Sequence, residues 1–124
     1  NKDHLELTGD VIPLAKLQEY PLVMIDEKTV ARRLLNDFLS RVGIELTPAI
    51  EIGDFALMKR LVTSGMGIGI IPREYTKRRL EEGILFEIKT DPPLPARSVG
   101  MVMAKNAKIS YAMRMFLDLF DLDV

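Results

Sequence analysis

Apolar and polar positions along the chain alternate between short buried runs and longer amphipathic ones. Tyr20 to Ile25, "YPLVMI", is a short apolar run that predicts a buried strand. Val30, Leu34, Leu35, Phe38, Leu39 and Val42 then fall on one helical stripe, with Thr29 placed as N-cap and Gly43 where a left-handed C-terminal glycine belongs. Thr47 to Ile52, "TPAIEI", reads as a second strand. Asp54 caps the next helix, which carries Phe55, Met58, Leu61 and Val62 inward and ends at Gly65. Gly67 to Ile71 is a third strand, and Pro72 stops it and opens a helix over "REYTKRRLEE" that Gly83 closes.

Further on, "ILFEI" reads as a strand, "TDPPLPA" as a loop and "SVGMVMA" as a strand. A last helix starts near Ser110, with Met113, Phe116, Leu117 and Phe120 on its inner side. The order β-α-β-α-β-α-β-loop-β-α, with strands too apolar to keep a wet face, predicts a layered α/β fold with mostly parallel strands.

The glycine run "LVTSGMGIGIIP", Leu61 to Pro72, could be a phosphate cradle or a turn between helix and strand. A dinucleotide fingerprint needs a strand first and then glycines opening a helix; here a helix leads in and a strand leaves. The spacing Gly65, Gly67, Gly69 is also wrong, and no Gly-Lys-Ser or Gly-Lys-Thr is present. The turn reading gives each glycine a structural role. Gly65 ends the helix, Gly67 allows a tight turn, and Gly69 lets another backbone pack closely.

Composition narrows the function classes. At 124 residues the chain is one domain with a sizeable core, and its net charge of -1 offers no basic field for nucleic acid. Lys77-Arg78-Arg79 reads as a solvated helix face. Without cysteine and with a single histidine, His4, neither a disulfide nor a catalytic triad nor a cysteine- or histidine-based metal site is expected. No apolar run approaches the roughly 18 residues of a membrane helix, and the opening "NKDHLE" is no signal peptide. The missing initial methionine suggests a fragment or a processed product.

The glycine run closely resembles the "LV-x-x-G-x-G-I-x-x-x-P" run in the effector-binding domain of LysR-type transcriptional regulators. In order and spacing, "HLELTGDVIPLAKLQEYPLVMI" is similar to that family's entry into its second subdomain, and "ARRLLNDFLSRVGIELTPAIEIGDFALMKRLV" to its helix, strand and next helix. "LEEGILFEI" resembles its "L-x-x-G-x-L" strand, and "VGMVMAKNAKISYAMRMFLDLF" its closing strand and last helix. The resemblance runs from about His4 to Phe120. It implies a periplasmic-binding-protein-like (type 2) fold, with residues 1–97 as the second α/β subdomain and 98–124 returning to the first. The family's DNA-binding winged helix-turn-helix and most of its first subdomain are absent from this sequence.

The implied ligand is a small effector in a cleft beyond the carboxyl ends of the strands. Two such ends are located, "MIDEKTVAR" and "IGDF", each at a helix N-terminus that favours a carboxylate or other anion. Asp26, Lys28, Thr29, Arg32, Gly53, Asp54 and Phe55 are the expected effector-site residues. Thr29 would donate its hydroxyl, Lys28 or Arg32 would supply charge, Gly53 would allow close backbone approach, and Phe55 would wall the pocket. Each has a plainer reading too: Thr29 and Asp54 as caps, Phe55 as core, Lys28 and Arg32 as solvated surface.

Asp26, Glu27 and Asp54 invite a carboxylate-pair enzyme, yet no partner histidine, nucleophile turn or metal spacing accompanies them. No enzyme activity, cofactor or metal is therefore expected. The resemblance further implies a cytoplasmic bacterial location without membrane contact, and contact with DNA only through the absent N-terminal domain. It also implies a homodimer or tetramer formed through the regulatory domains, with Val30–Val42 and Leu22–Ile25 at the contact. The seven methionines suit a core or interface that repacks slightly. The alternatives are a transport-type solute-binding protein of the same fold, an α/β enzyme fragment, and a stable core that binds nothing by itself.

Overall fold

The computed structural model of the chain describes residues 1–120. Its organising element is a strand buried along its whole length, Leu22–Ile25, here β2 after a two-residue strand β1 at Ile12–Pro13. Side chains alternate across β2, and the two faces meet different layers. Leu22 and Met24 pack with Leu35 and Leu39 of helix α1 (Val30–Val42) and with Leu14 and Leu17 of a short 3-10 segment. Val23 and Ile25 pack instead with Met58 and Val62 of helix α2 (Phe55–Thr63) and with Leu85. One four-residue strand thus holds a helix layer on each side.

Strands β3 (Ile50–Ile52) and β4 (Ile68–Gly69) flank β2 in the order β3-β2-β4, all parallel, with Val23 opposite Ile50 and Leu22 opposite Ile68. Parallel neighbours need helical crossovers, and α1 and α2 supply them. Both helices are capped as expected. Thr29 Oγ1 accepts the Arg32 N–H at 3.2 Å, and Asp54 Oδ1 accepts the Leu57 N–H at 2.8 Å.

Helix α2 ends in a two-bond reversal in which the Gly65 N–H donates to the Val62 carbonyl and the Met66 N–H to that of Leu61, both at 3.1 Å. Gly65 takes φ 89°, a conformation that other residues enter only with strain. The same pair of bonds ends α1 at Gly43 and helix α3 (Arg73–Glu81) at Gly83.

Of the other two glycines of the run, Gly67 takes the role expected of Gly69, and Gly69 takes a different one. Gly67, at φ 153°, is the one that lets another backbone approach: a Cβ there would strike the Pro21 carbonyl. That carbonyl instead accepts the Ile68 N–H at 2.9 Å. Gly69 clears space for side chains, since its Cβ would lie 2.6 Å from Val62 Cγ2 and 2.9 Å from Ile71 Cδ1.

Other expectations are corrected. "ILFEI" and "SVGMVMA" are not strands; instead Thr90–Asp91 forms β5 and pairs in parallel with β1, Ile12 opposite Thr90. Leu85 is buried against the α2 layer, so packing rather than a ladder fixes the first segment. Val99 and Val102 are 94% and 98% exposed, because no described strand lies beside them.

Helix α4 (Tyr111–Asp118) begins at its Ser110 cap, but only Leu117 is buried. Met113, Phe116 and Phe120, expected on its inner side, are exposed. On α1 the apolar stripe is wider than the buried face: Val30, Leu34 and Val42 face outward, and Arg32 is buried among the leucines.

Candidate functional site

In a parallel sheet every strand points the same way, so the loops leaving β2, β3 and β4 emerge at one edge. There the N-termini of α1, α2 and α3 follow Thr29, Asp54 and Pro72.

Asp26 ties the first loop together. Its N–H donates to the Ile52 carbonyl at 2.9 Å, and its Oδ1 accepts the Lys28 N–H at 2.8 Å. Its carbonyl accepts both the N–H and the hydroxyl of Thr29, at 3.0 and 2.7 Å. The Thr29 hydroxyl proton is therefore engaged within the loop, and Thr29 keeps only acceptor capacity for a ligand. Lys28 is exposed and makes no ion pair among the described residues.

Arg32 departs furthest from its expected place. It is 3% exposed, not a surface cation. Its Nη1 donates to the Ile25 carbonyl at 2.8 Å and its Nε to Asn36 Oδ1 at 3.1 Å. Glu51 Oε1 stands 3.4 Å from Nη1, and Glu27 Oε1 3.7 Å from Nη2. The guanidinium thus joins the ends of β2 and β3 to the Asp26–Thr29 loop, which engages its fork internally.

At the second strand end Gly53 is exposed, and a Cβ built on it would meet nothing within 4 Å. Asp54 is occupied in capping α2. Phe55 is half-buried and lines an open cavity of about 850 Å³, together with residues of the Ile68–Thr76 and Leu85–Val99 stretches and with Asn1, His4, Leu17 and Leu34. Of the seven expected effector-site residues it is the one that lines this cavity.

His4 lines the cavity too, and the cavity's charged wall comes from residues that sequence reasoning missed. Arg73, Glu74, Tyr75, Glu87 and Arg97 all line it. Phe55 and Tyr75 have ring centroids 5.0 Å apart at 33°, and the Arg97 guanidinium lies 6.0 Å from the Phe55 centroid. Arg73 is neutralised by Glu87 at 2.5 Å. Arg73 to Tyr75 carry a usable signal, because they follow the carboxyl end of a third parallel strand, where the strand-end rule applies as it does to the first two. Arg97 follows an irregular proline-rich segment and carries none.

Among the described residues no cluster of three or more His, Cys, Asp or Glu side chains is placed to hold a metal, and no helix is long and apolar enough to cross a membrane.

The family model described as "LysR substrate binding domain" matches residues 1–121. An uncharacterized HTH-type transcriptional regulator, YfeR, of Shigella flexneri is 31% identical over 90% of this chain and 36% of its own length. Another such regulator, YusT of Bacillus subtilis, is 26% identical over 81% of the chain and 34% of its own length. A phosphonates import ATP-binding protein, PhnC, of Anaeromyxobacter dehalogenans is 27% identical over 92% of the chain but 24% of its own length. The chain thus spans between a quarter and a little over a third of these curated relatives. Parallel α/β architecture, glycine turn and family match agree: this chain belongs to the LysR substrate binding domain family, the effector-binding domain of LysR-type regulators with its type 2 periplasmic-binding-protein-like fold.

Proposed function

We propose that this domain senses a small anionic metabolite and so modulates transcription by a longer LysR-type regulator that holds the DNA-binding part. The observation that carries the reading is the convergence of three helix N-termini on one sheet edge beside the 850 Å³ cavity. Phe55 would wall the ligand, Lys28 and Gly53 would stand exposed at the same sheet edge outside the cavity lining, and Asp26, Thr29, Arg32 and Asp54 would hold the loops there. The effector acts by binding one arrangement of the regulatory domains better than another, which shifts their population; no bond of the ligand is broken.

Residues 1–97 would form the second subdomain and 98–124 the return to the first, with 121–124 outside the residues the structure describes. The chain would work in the cytoplasm as a homodimer or tetramer. Its contact surface would be the outward face of α1, with Val30 and Leu34. Strand β2 is excluded from that surface, because it is buried between β3 and β4. The similarity to PhnC covers too little of that protein to carry a transport reading.

A thermal-shift screen of carboxylate metabolites tests the proposal. A ligand at about 100 times its Kd adds about 2.7 kcal/mol, which is on the order of 10 °C for a chain of this size. If no ligand raises Tm here but one does in the full-length regulator, sensing needs both subdomains. If none does in either, the reading falls.

A further inference from the structure

The cavity wall carries four charged side chains, and they are not equivalent. Arg73 and Glu87 neutralise each other. Arg97 has no carboxylate within ion-pair distance among the described residues, and its guanidinium lies over Phe55. Phe55 is braced from α3 by Tyr75. A guanidinium resting on an aromatic ring keeps its N–H groups in its own plane, available to a carboxylate. Helix α3 adds a weaker pull of the same sign: unlike α1, α2 and α4, it has no side-chain cap.

Two features restrict what Arg97 can hold. Glu74 lines the same wall, so a second negative charge on the ligand would be repelled. Tyr75 is half exposed and shares the wall with Leu94 and Ile71, which offers a flat apolar body a face to stack on.

We propose that Phe55, Tyr75 and Arg97 form a subsite for an aromatic monocarboxylate, in which Arg97 takes the carboxylate and Tyr75 the ring. This assignment rests on the sensing role proposed above and narrows its ligand class.

The test uses 2-naphthoate, whose fluorescence anisotropy can be followed because the chain contains no tryptophan. The wild-type chain should bind it, Arg97→Gln should weaken binding at least about tenfold, and Arg97→Lys should fall between them. Tyr75→Leu should weaken it several-fold, whereas Arg33→Gln, on the exposed side of α1, should leave it unchanged. Naphthalene-2,6-dicarboxylate and naphthalene-2-methanol should both bind more weakly than 2-naphthoate.

Wild-type affinity in a folded Arg97→Gln variant overturns the assignment. So does equal binding of the dianion or the neutral alcohol, or no binding of 2-naphthoate at millimolar concentration. A metabolite that raises Tm equally in wild type and Arg97→Gln would leave sensing intact and sink this subsite alone. If no compound of any class raises Tm in this chain or in the full-length regulator, both fall together.

Discussion

The guanidinium of Arg32 on α1 donates to the backbone carbonyl of Ile25, the last residue of β2, at 2.8 Å. A strand's final carbonyl usually finds a ladder partner or water; here a buried cation serves it. Removing that cation strands the carbonyl and leaves Glu51 and Glu27 without their partner. Arg32→Met should therefore destabilise the chain by about 2 kcal/mol, mostly from the unsatisfied carbonyl. Urea unfolding measures this, with Lys28→Ala as a near-neutral neighbour; equal effects of the two would refute the assignment.

Gly67 is the glycine that tolerates a side chain least. Its φ of 153° and the Pro21 carbonyl together exclude a Cβ. Gly67→Ala should cost about 3 kcal/mol, several times more than Gly53→Ala, whose site is open. Comparison of denaturation midpoints separates the two.

The caps of α1 and α2 are expected to be of similar worth. Thr29→Ala and Asp54→Ala should each cost about 1 kcal/mol, with Asp54→Asn nearly silent because asparagine also caps well. If Asp54→Asn instead matches Asp54→Ala, the carboxylate does more than accept the Leu57 N–H.

Glu82 is the acid whose titration the structure marks. A hydrogen bond from the Arg78 side chain, with further attraction from Arg78 and Arg79, holds its pKa below the ordinary carboxylate value. A depressed folded pKa means that the contribution exists above the unfolded pKa and disappears as pH falls through the folded one. A carboxyl-detected NMR titration should find Glu82 among the more acidic glutamates, and Arg78→Gln should move it up.

Much of this architecture is legible in the residues alone. The bounds of α1 follow from a cap, a stripe and a terminal glycine that agree with one another, and the short Leu22–Ile25 run after a proline suits a buried strand. Strands β1 and β5 are not legible, because a two-residue pairing leaves no periodicity to read. The 98–104 segment is apolar enough for a strand but has no described neighbour to pair with, and pattern alone cannot supply one. Arg32 reads as surface although it shares the buried face of Leu35 and Leu39; a stripe defined by apolar residues overlooks a cation inside it. Of the cavity wall, Phe55 is found through its strand end, while Arg97 arrives through tertiary placement.

The three left-handed glycines, Gly43, Gly65 and Gly83, all lie where helices end, whereas the candidate site residues Asp26, Lys28, Gly53 and Phe55 follow the ends of strands. The stringent turns of the fold and the side chains proposed to face a ligand thus fall on different segments of the chain. Residues at the carboxyl edge can drift toward a new metabolite without disturbing the turns that close each crossover. A domain built this way can change what it detects faster than it can change its shape.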